Sequence, residues 1–285
     1  MLKMIEHGDV IEFKAARTIF KKPLYFSHFF YIDGLLIDTG FYHVKNEVLN
    51  AVKKLPVQNI VITHQHEDHT GNCDLLQKEL MVPVYAHPET IKATEKPSTL
   101  EVYRKLMWGN PPPAKLLPVN KYYKTDRFTI EAIHTPGHCL DHTCYFEPEN
   151  RYLFCGDLYL GESLTGFMTG ENIVEHFKSL KKIIALEPAV LFCGLKGRLE
   201  NGVERLLRKY EAWWKICCRV RDLCEAEASH QEIMQDVFGG EIIFYYFSQS
   251  NWGRRYMIDS IVTNIDYFNE EIKTPQIGKG CEVKN

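Results

Sequence analysis

The sequence predicts an α/β protein, because stretches with the alternation of strands and stretches with the periodicity of helices follow one another along the chain. Strand patterns dominate residues 10–65 and return over residues 128–157. Residues 173–184 place their apolar side chains on one stripe, as an amphipathic helix does, and an apolar strand pattern follows at 190–192. Helical patterns prevail from about residue 200 onward, so we expect a helical tail.

The first strand region contains a predicted hairpin. Residues 29–37 are apolar on both sides of Asp33-Gly34, a dipeptide typical of two-residue β-turns. Another apolar strand covers residues 59–62 and leads into a helix that reaches Leu80. Thr70 is a residue type that caps such helices, so we expect it at the N-cap.

Four potential metal ligands lie within six residues, directly after the strand at 59–62: His64, His66, Asp68 and His69. Alternate side chains of an extended segment share a side, so His64 and His66 can face one ion. Imidazole nitrogen and carboxylate oxygen suit zinc, iron, cobalt or manganese. The alternative, a polar surface loop, does not account for this density of ligands.

Two further potential ligands also follow predicted strands. His138 comes after the strand pattern at 128–133 and a Thr-Pro-Gly turn, and Asp157 comes after the apolar run at 152–155. Either residue alone would more often be a turn residue than a ligand. Their common position at strand ends favours one shared metal centre, with His138 as the third histidine and Asp157 as a carboxylate suited to bridging two ions.

In combination, these motifs resemble the metallo-β-lactamase superfamily of hydrolases. They follow one another in the family's order, after an early Asp-Thr-Gly segment at 38–40: His64-X-His66-X-Asp68-His69, then Thr-Pro-Gly-His138, then Gly-Asp157. The resemblance covers roughly residues 10–200 and implies an αββα sandwich, in which helices flank two sheets and the metals lie at one edge. Glyoxalase II is the nearest well-understood type. The layout is more similar to the branch that contains a lactamase-like mitochondrial ribonuclease and a bacterial quinolone-pathway thioesterase.

The resemblance also implies a role for each ligand. The first metal would be held by His64, His66 and His138, and the second would face Asp68, His69 and Asp157, with Asp157 shared between the two. Zinc is the expected metal, as one or two ions, with iron or manganese as alternatives. Asp68 would also be catalytic, because it would orient the nucleophilic water and receive its proton.

One position departs from the family pattern. Family members usually close the second metal position with a histidine after a Pro-Gly or Cys-Gly pair, whereas Cys193-Gly194 is followed here by Leu195. Leucine cannot bind a metal, so the second position would be weaker unless His142, Lys196 or water completes it. We therefore expect either one tight ion or a second ion that is readily lost.

The composition is typical of a soluble cytoplasmic enzyme. The 285 residues are 45% hydrophobic, which suffices for one large core, and the net charge of −3 gives no broad attraction to nucleic acid or anionic lipid. The sequence contains no apolar stretch typical of a signal peptide or a membrane span. The nine cysteines are dispersed and odd in number, which favours reduced thiols.

We expect a catalytic domain over residues 1–200 and a helical extension over residues 201–285. The layout of this extension resembles the small winged-helix-like tail of the ribonuclease branch. From Glu225 to Asn285, ten acidic residues stand against five basic ones, whereas phosphate binding requires the opposite charge. A cap that shapes the pocket or a homodimer contact is therefore favoured over a nucleic-acid partner.

The segment at 95–125 matches no core element and is interpreted as a partly ordered lid. Its aromatic and cationic side chains, including Arg104 and Trp108, would hold an apolar substrate with an anionic end. The alternative, in which Trp108 simply anchors the loop to the body, is equally well supported.

The function predicted from these features is that of a metal-dependent hydrolase, acting on a small ester, thioester or related acyl substrate through a metal-bound hydroxide. The expected partner is a small-molecule substrate, without a membrane. A phosphodiesterase or ribonuclease would use the same metals but needs basic residues around the mouth. A mononuclear iron oxygenase resembling persulfide dioxygenases would tolerate Leu195. A binding protein with a decayed site is the last alternative.

Overall fold

The computed structural model describes residues 1–19, 22–96, 100–163 and 165–271, which form two compact units. The first unit consists of Met1–Thr135, Leu140–Leu160 and Pro188–Asn201, and the second of Pro136–Cys139, Gly161–Glu187 and Gly202–Asn285. Residues 272–285 of the predicted helical extension lie outside the described residues. The predicted domain boundary after residue 200 stays a prediction.

A seven-stranded sheet lies in the first unit, with its strands in chain order. They are β1 (Leu2–His7), β2 (Val10–Ile19), β3 (Lys22–Ile32), β4 (Leu35–Ile37), β5 (Asn59–Val61), β6 (Val84–Ala86) and β7 (Leu117–Pro118). The first four strands are antiparallel, and the later neighbours are parallel. Asp33 and Gly34, with φ of 43° and 94°, form the tight turn between β3 and β4, which confirms the predicted hairpin.

A second, six-stranded sheet completes the framework of the first unit, in the order β14-β13-β11-β10-β9-β8. Its strands are β8 (Tyr122–Lys124), β9 (Thr129–His134), β10 (Thr143–Glu147), β11 (Tyr152–Gly156), β13 (Val190–Cys193) and β14 (Gly197–Glu200); β12 (Phe167–Met168) pairs with β15 (Trp252–Gly253) in the second unit. Strands β11 and β13 run parallel, so both end at the same edge. The predicted α/β fold class is confirmed.

The alternation of strand β3 shows how the sheets build two cores. Phe29 and Tyr31 point to one face, where they pack with the helices that cover the first sheet. Phe30 and Ile32 point to the other face and pack against the second sheet. Between the sheets, Phe30 meets Phe154 and Phe192 with ring centroids 5.8 and 5.3 Å apart. The two sheets therefore face one another across an apolar layer.

The helices of the first unit are short: α1 (Lys45–Val52), α2 (Glu67–Thr70), α3 (Cys73–Leu80), α4 (Pro88–Thr94) and α5 (Val102–Trp108). The expectation that Thr70 caps the helix to Leu80 is wrong. Thr70 ends α2, where its hydroxyl donates to the His66 carbonyl at 3.1 Å, and Asn72 is the N-cap residue of α3. The segment with the predicted ligands Asp68 and His69 forms its own helical turn. The N-cap of the next helix, α3, therefore lies at Asn72, two residues after Thr70.

The second unit is mainly helical, with α6 (Ile173–Ile184), α7 (Gly202–Glu225), α8 (His230–Phe238), α9 (Ile243–Phe247), α10 (Arg254–Thr263) and α11 (Ile265–Glu271). The helix predicted at 173–184 is confirmed, and the Asn172 side chain caps it by accepting from Val174 N at 3.0 Å. Phe177 packs edge-on against Tyr210 and Trp214. This aromatic cluster joins α6 to α7.

No helix within the described ranges has the length and apolarity needed to cross a membrane. The eight cysteines within those ranges are free thiols. Five of these thiols are fully buried: Cys73, Cys144, Cys155, Cys193 and Cys217.

Candidate metal centre

The neighbouring ends of β4 and β5 organise the centre around Asp38. These strands are parallel, with Ile37 beside Val61, so the residues that follow them meet at one edge. Asp38 adopts a left-handed conformation, with φ of 64°, that turns its carboxylate back to accept from Thr63 N and from His69 Nδ1, both at 2.7 Å. A non-glycine residue in this conformation is strained, and such strain is common at functional sites.

The bond to Asp38 decides how His69 presents its ring. Since Nδ1 faces the Asp38 carboxylate, Nε2 faces the interior, 3.4 Å from Asp157 Oδ1 and 3.7 Å from Asp68 Oδ2. Within the described residues Nε2 is buried without a hydrogen-bond partner. Burial lowers the pKa of His69, but Asp38, Asp68 and Asp157 outweigh it and raise the pKa well above its ordinary value. The His69 ring therefore lies where positive charge is favoured.

His64 and His66 lie side by side, as their spacing predicts. His64 Nε2 is 2.9 Å from His66 Nδ1, and His64 Nδ1 is 3.0 Å from Thr63 Oγ1. Asp141 holds the segment between them, because its Oδ2 accepts from Gln65 N at 2.8 Å. Side-chain nitrogens of both histidines are thus brought to one place by backbone contacts.

Two glycines, Gly156 and Gly194, leave room for Asp157 to approach the centre closely. Gly156 has φ of 46°, and a Cβ there would lie 2.7 Å from His142 Nε2. A Cβ on Gly194 would lie 2.7 Å from both Asp157 Oδ1 and His69 Cε1. Both positions therefore require glycine for close approach. His64, His69 and Asp157 offer ligand atoms that all lie within 4.8 Å of one another, a group able to hold a metal ion.

Asp68 joins the same cluster from α2. Its Oδ2 accepts a hydrogen bond of 2.5 Å from the hydroxyl of Tyr25, and its backbone carbonyl accepts from Ser27 Oγ at 3.0 Å. The side chain is buried beside His69. Asp68 is therefore close to His69, one of the two predicted ligands with which it was expected to act.

His138 belongs to the second unit, on a turn that packs against α6. Ser179 Oγ donates to the Pro136 carbonyl at 2.7 Å, and a Cβ on Gly137 would lie 2.7 Å from the His176 ring. The turn is therefore pressed onto the first turns of the helix. The role of His138 as a ligand of the first metal stays a prediction.

A buried glutamate faces His138 within this unit. Glu171 Oε2 lies 3.3 Å from His138 Nδ1 and 3.1 Å from His176 Nε2. Burial would raise the pKa of Glu171, but the two histidines outweigh it and lower the pKa to about 2. Glu171 is therefore an ionised carboxylate at neutral pH, and it lies opposite the Nδ1 atom of the His138 ring.

The structure also bears on the groups considered as substitutes for the missing histidine. Leu195 is half-buried in the turn between β13 and β14, and Lys196 beside it is exposed. His142 is fully buried, and its Nε2 accepts from Asp157 N at 3.1 Å while its Nδ1 lies 2.8 Å from Thr135 Oγ1. Both ring nitrogens of His142 thus have partners, Nε2 in the backbone of Asp157 and Nδ1 in the hydroxyl of Thr135.

The charge of Arg104 is already paired. Arg104 is buried on α5, and its Nε and Nη2 donate to Glu67 Oε2 at 3.0 and 2.6 Å. The expectation that the aromatic and cationic side chains of residues 95–125 hold a substrate stays a prediction. Trp108 packs edge-on against Tyr25, with ring centroids 5.6 Å apart, which favours the anchoring alternative for the segment.

The donor set suits a transition-metal ion. It combines imidazole nitrogens with carboxylate oxygens, and the His69 ring is oriented by a second carboxylate, as is common for metal-binding histidines. Sequence reasoning missed the roles of Asp38 and Tyr25 in this unit and of Glu171 beside His138 in the other: Asp38 appeared only in the early Asp-Thr-Gly segment, and Tyr25 and Glu171 were not singled out. A buried strand that ends in an aspartate was an available signal for Asp38 alone.

Known proteins are similar to this chain in sequence and in fold. Residues 30–195, more than half of the chain, match the model of the metallo-beta-lactamase superfamily. A hydroxyacylglutathione hydrolase from Citrobacter koseri is 34% identical over 162 residues, which cover 56% of this chain and 55% of that protein. An atrochrysone carboxyl ACP thioesterase from Aspergillus fumigatus is 28% identical over 184 residues, 63% of this chain and 52% of that protein.

Among solved structures, a beta-lactamase domain protein from Burkholderia ambifaria superposes with a TM-score of 0.72 at 15% identity, covering 94% of this chain and 88% of that one. This similarity concerns the fold. The chain spans about half the length of the two curated relatives. The match over residues 30–195 and the shared fold show that this chain belongs to the metallo-β-lactamase superfamily.

Proposed function

We propose that this protein is a metal-dependent hydrolase of a small ester, thioester or related acyl substrate. The observation that carries the proposal is the arrangement of His69, whose Nδ1 is held by Asp38 while Nε2 faces Asp68 and Asp157. This is the orientation that a metal-binding imidazole needs. The names of the thioesterase and the hydrolase among its relatives support the acyl substrate.

Each predicted ligand keeps its role in this proposal: His64, His66 and His138 for a first ion, and Asp68, His69 and Asp157 for a second, with Asp157 shared. Zinc is the proposed metal. When bound, such an ion lowers the pKa of its water to about 7 and polarises the acyl oxygen.

The protein's own groups account for the rest of the chemistry. Asp68 orients the attacking water by accepting a hydrogen bond from it, and it then takes the water's proton. Asp38 keeps the Nε2 lone pair of His69 directed inward. His142 holds the backbone of Asp157 in place. An acyl substrate is proposed in preference to a phosphate ester, and the pairing of the buried Arg104 guanidinium with Glu67 supports this choice.

The test combines metal content with turnover. Protein purified without added metal should contain zinc and hydrolyse aryl ester or thioester probes. His64→Ala should lose both metal and turnover, whereas the matched control His230→Ala, at an exposed position on α8, should keep both.

Other outcomes would replace the proposal. Full metal content in His64→Ala would contradict the assigned centre. Tight, steeply salt-dependent RNA binding with metal-dependent cleavage would favour a ribonuclease instead. Iron as the single bound metal, with consumption of oxygen and no hydrolysis of the probes, would favour an oxygenase.

A further inference from the structure

The turn between β13 and β14, residues 194–196, passes very close to the candidate metal centre. A Cβ added to Gly194 would lie 2.7 Å from both Asp157 Oδ1 and His69 Cε1. The backbone of the turn is therefore packed directly against two predicted ligands. Leu195, in the same turn, cannot tie it to a metal, so another contact has to hold the turn in this place.

A buried carboxylate on β2 supplies such a contact. Glu12 is almost fully buried, and its Oε2 accepts from Arg198 N, near the start of β14, at 3.2 Å. A Cβ on Gly197 would lie 2.6 Å from Glu12 Oε1, so only glycine lets β14 begin this close to the carboxylate. The end of the turn that leads into β14 is therefore held by Glu12.

The other end of the turn is held through His28. The ring of this residue places Nδ1 2.7 Å from Glu12 Oε1, and its backbone N–H donates to the Gly194 carbonyl at 2.7 Å. His28 is itself almost fully buried on β3. His7 Nε2, on β1, lies 2.8 Å from Glu12 Oε2 and also fixes the carboxylate. Two of the groups bonded to Glu12, the His28 ring and the Arg198 amide, thus connect it to the two ends of the turn.

We propose that Glu12 is a positioning residue of the metal centre. It holds the turn at 194–196 against His69 and Asp157, and the turn in this place keeps both ligands in the geometry that an ion needs. The inference rests on the proposed function, since it assumes that His69 and Asp157 bind a metal. Loss of a contact that supports a ligand from outside typically lowers metal affinity by about 10- to 100-fold. Because Glu12 acts through the turn, we expect a loss at the lower end of that range.

Zinc is the probe, and competition with a chromogenic chelator measures its affinity for folded protein at neutral pH. Glu12→Gln keeps the shape of the side chain but offers one acceptor oxygen in place of two, so zinc should bind about 10-fold more weakly than to the parent. Glu12→Leu removes these hydrogen bonds altogether and should weaken binding further. Glu12→Gln carries the test by itself if the leucine variant does not fold.

Glu147→Gln is the matched control. Glu147 is also a fully buried carboxylate that holds a turn, because its Oε1 and Oε2 accept from Glu149 N and Asn150 N, both at 2.8 Å. That turn precedes β11, whereas Asp157 follows the other end of the same strand. Glu147→Gln should therefore lower stability without changing zinc affinity. An equal loss of affinity in the two glutamine variants would indicate a general effect on the fold and overturn the role of Glu12.

A double-mutant cycle tests whether Glu12 acts through the turn. Gly194→Ala should itself weaken zinc binding, because the added Cβ would displace the turn from His69 and Asp157. Adding Glu12→Gln to this variant should then have little further effect, since the turn has already moved. Two losses of affinity that simply add would contradict the proposed action through the turn.

Amide hydrogen exchange of the metal-free protein separates this inference from the proposed function. The amides of His28 and Gly194 should exchange faster in Glu12→Gln than in the parent, because both belong to the contacts that hold the turn. Zinc affinity unchanged in Glu12→Gln, with or without faster exchange, would overturn the role of Glu12 and leave the metal-dependent hydrolase standing. A parent protein that binds no zinc would overturn the proposed function and, with it, the role of Glu12 in the centre.

Discussion

Asp38 Oδ2 accepts a hydrogen bond from His69 Nδ1 at 2.7 Å, and this contact determines which face of the imidazole is presented to Asp68 and Asp157. Both partners are almost fully buried. Asp38 therefore acts on the centre without touching the position where an ion would bind. Loss of such an orienting contact commonly lowers the metal affinity of a site by about 10- to 100-fold.

Asp38→Asn should lower the affinity of the centre for metal by about 10- to 100-fold, because asparagine tolerates the left-handed backbone but removes the negative charge behind His69. Competition with a chromogenic chelator measures the affinity. Asp259→Asn, at an exposed position of α10, is the control. An affinity equal to that of the parent would show that Thr63 and the backbone suffice to orient the ring.

Glu171→Gln should weaken metal binding by a similar factor of about 10 to 100, provided that His138 is a ligand of the first ion. The amide carries no charge and accepts more weakly from His138 Nδ1. Glu175→Gln, on the following helix α6 and paired with Lys178, should leave the affinity unchanged. The protonation of the His138 ring, followed by nitrogen NMR, should change in the first variant and not in the second.

Glu12 should make the metal-free protein sensitive to acid. Burial would raise its pKa, but hydrogen bonds from His28 and His7, at 2.7 and 2.8 Å, outweigh it and lower the pKa from 4.5 to about 2. A carboxylate with a depressed pKa stabilises the fold above its unfolded pKa, and this contribution is lost as the pH falls from about 4.5 through about 2. A difference of this size corresponds to about 3 kcal/mol.

Urea unfolding of the parent should therefore show falling stability over that acid window. Glu12→Gln should be less stable at pH 7 by an amount of the order of 3 kcal/mol and should show a flatter dependence on pH below 4.5. Glu6→Gln, exposed on β1, should match the parent. An equal slope in Glu12→Gln and the parent would assign the acid sensitivity to other groups.

Leu195→His should raise the occupancy of the second metal position, because the turn between β13 and β14 begins at Gly194, where an added Cβ would lie 2.7 Å from both Asp157 Oδ1 and His69 Cε1. Calorimetric titration should show a tighter second ion than in the parent. Lys196→Ala tests whether the neighbouring ammonium competes with that ion. Two equally tight ions in the parent itself would contradict the expectation of a weak second position.

Local signals predicted the parts of the molecule that depend on neighbours in sequence. The turn at Asp33-Gly34 and the apolar stripe at 173–184 each depend on the order of a few residues, and the structure has both in the expected form. The chain also turns into a helix at Glu67–Thr70, where Asp68 and His69 were expected to lie. The prediction of an N-cap at Thr70 is wrong for a local reason too, because the short helix α2 lies before α3.

The sequence by itself determined the residue types of the centre and their attachment to strand ends, because alternation and turn chemistry operate over a few residues. Only the tertiary structure decided which groups support them. Asp38 meets His69 across 31 residues, and Tyr25 meets Asp68 across 43. Such pairs depend on how parallel and antiparallel strands come to share one edge of a sheet, and no periodicity within either segment encodes that meeting.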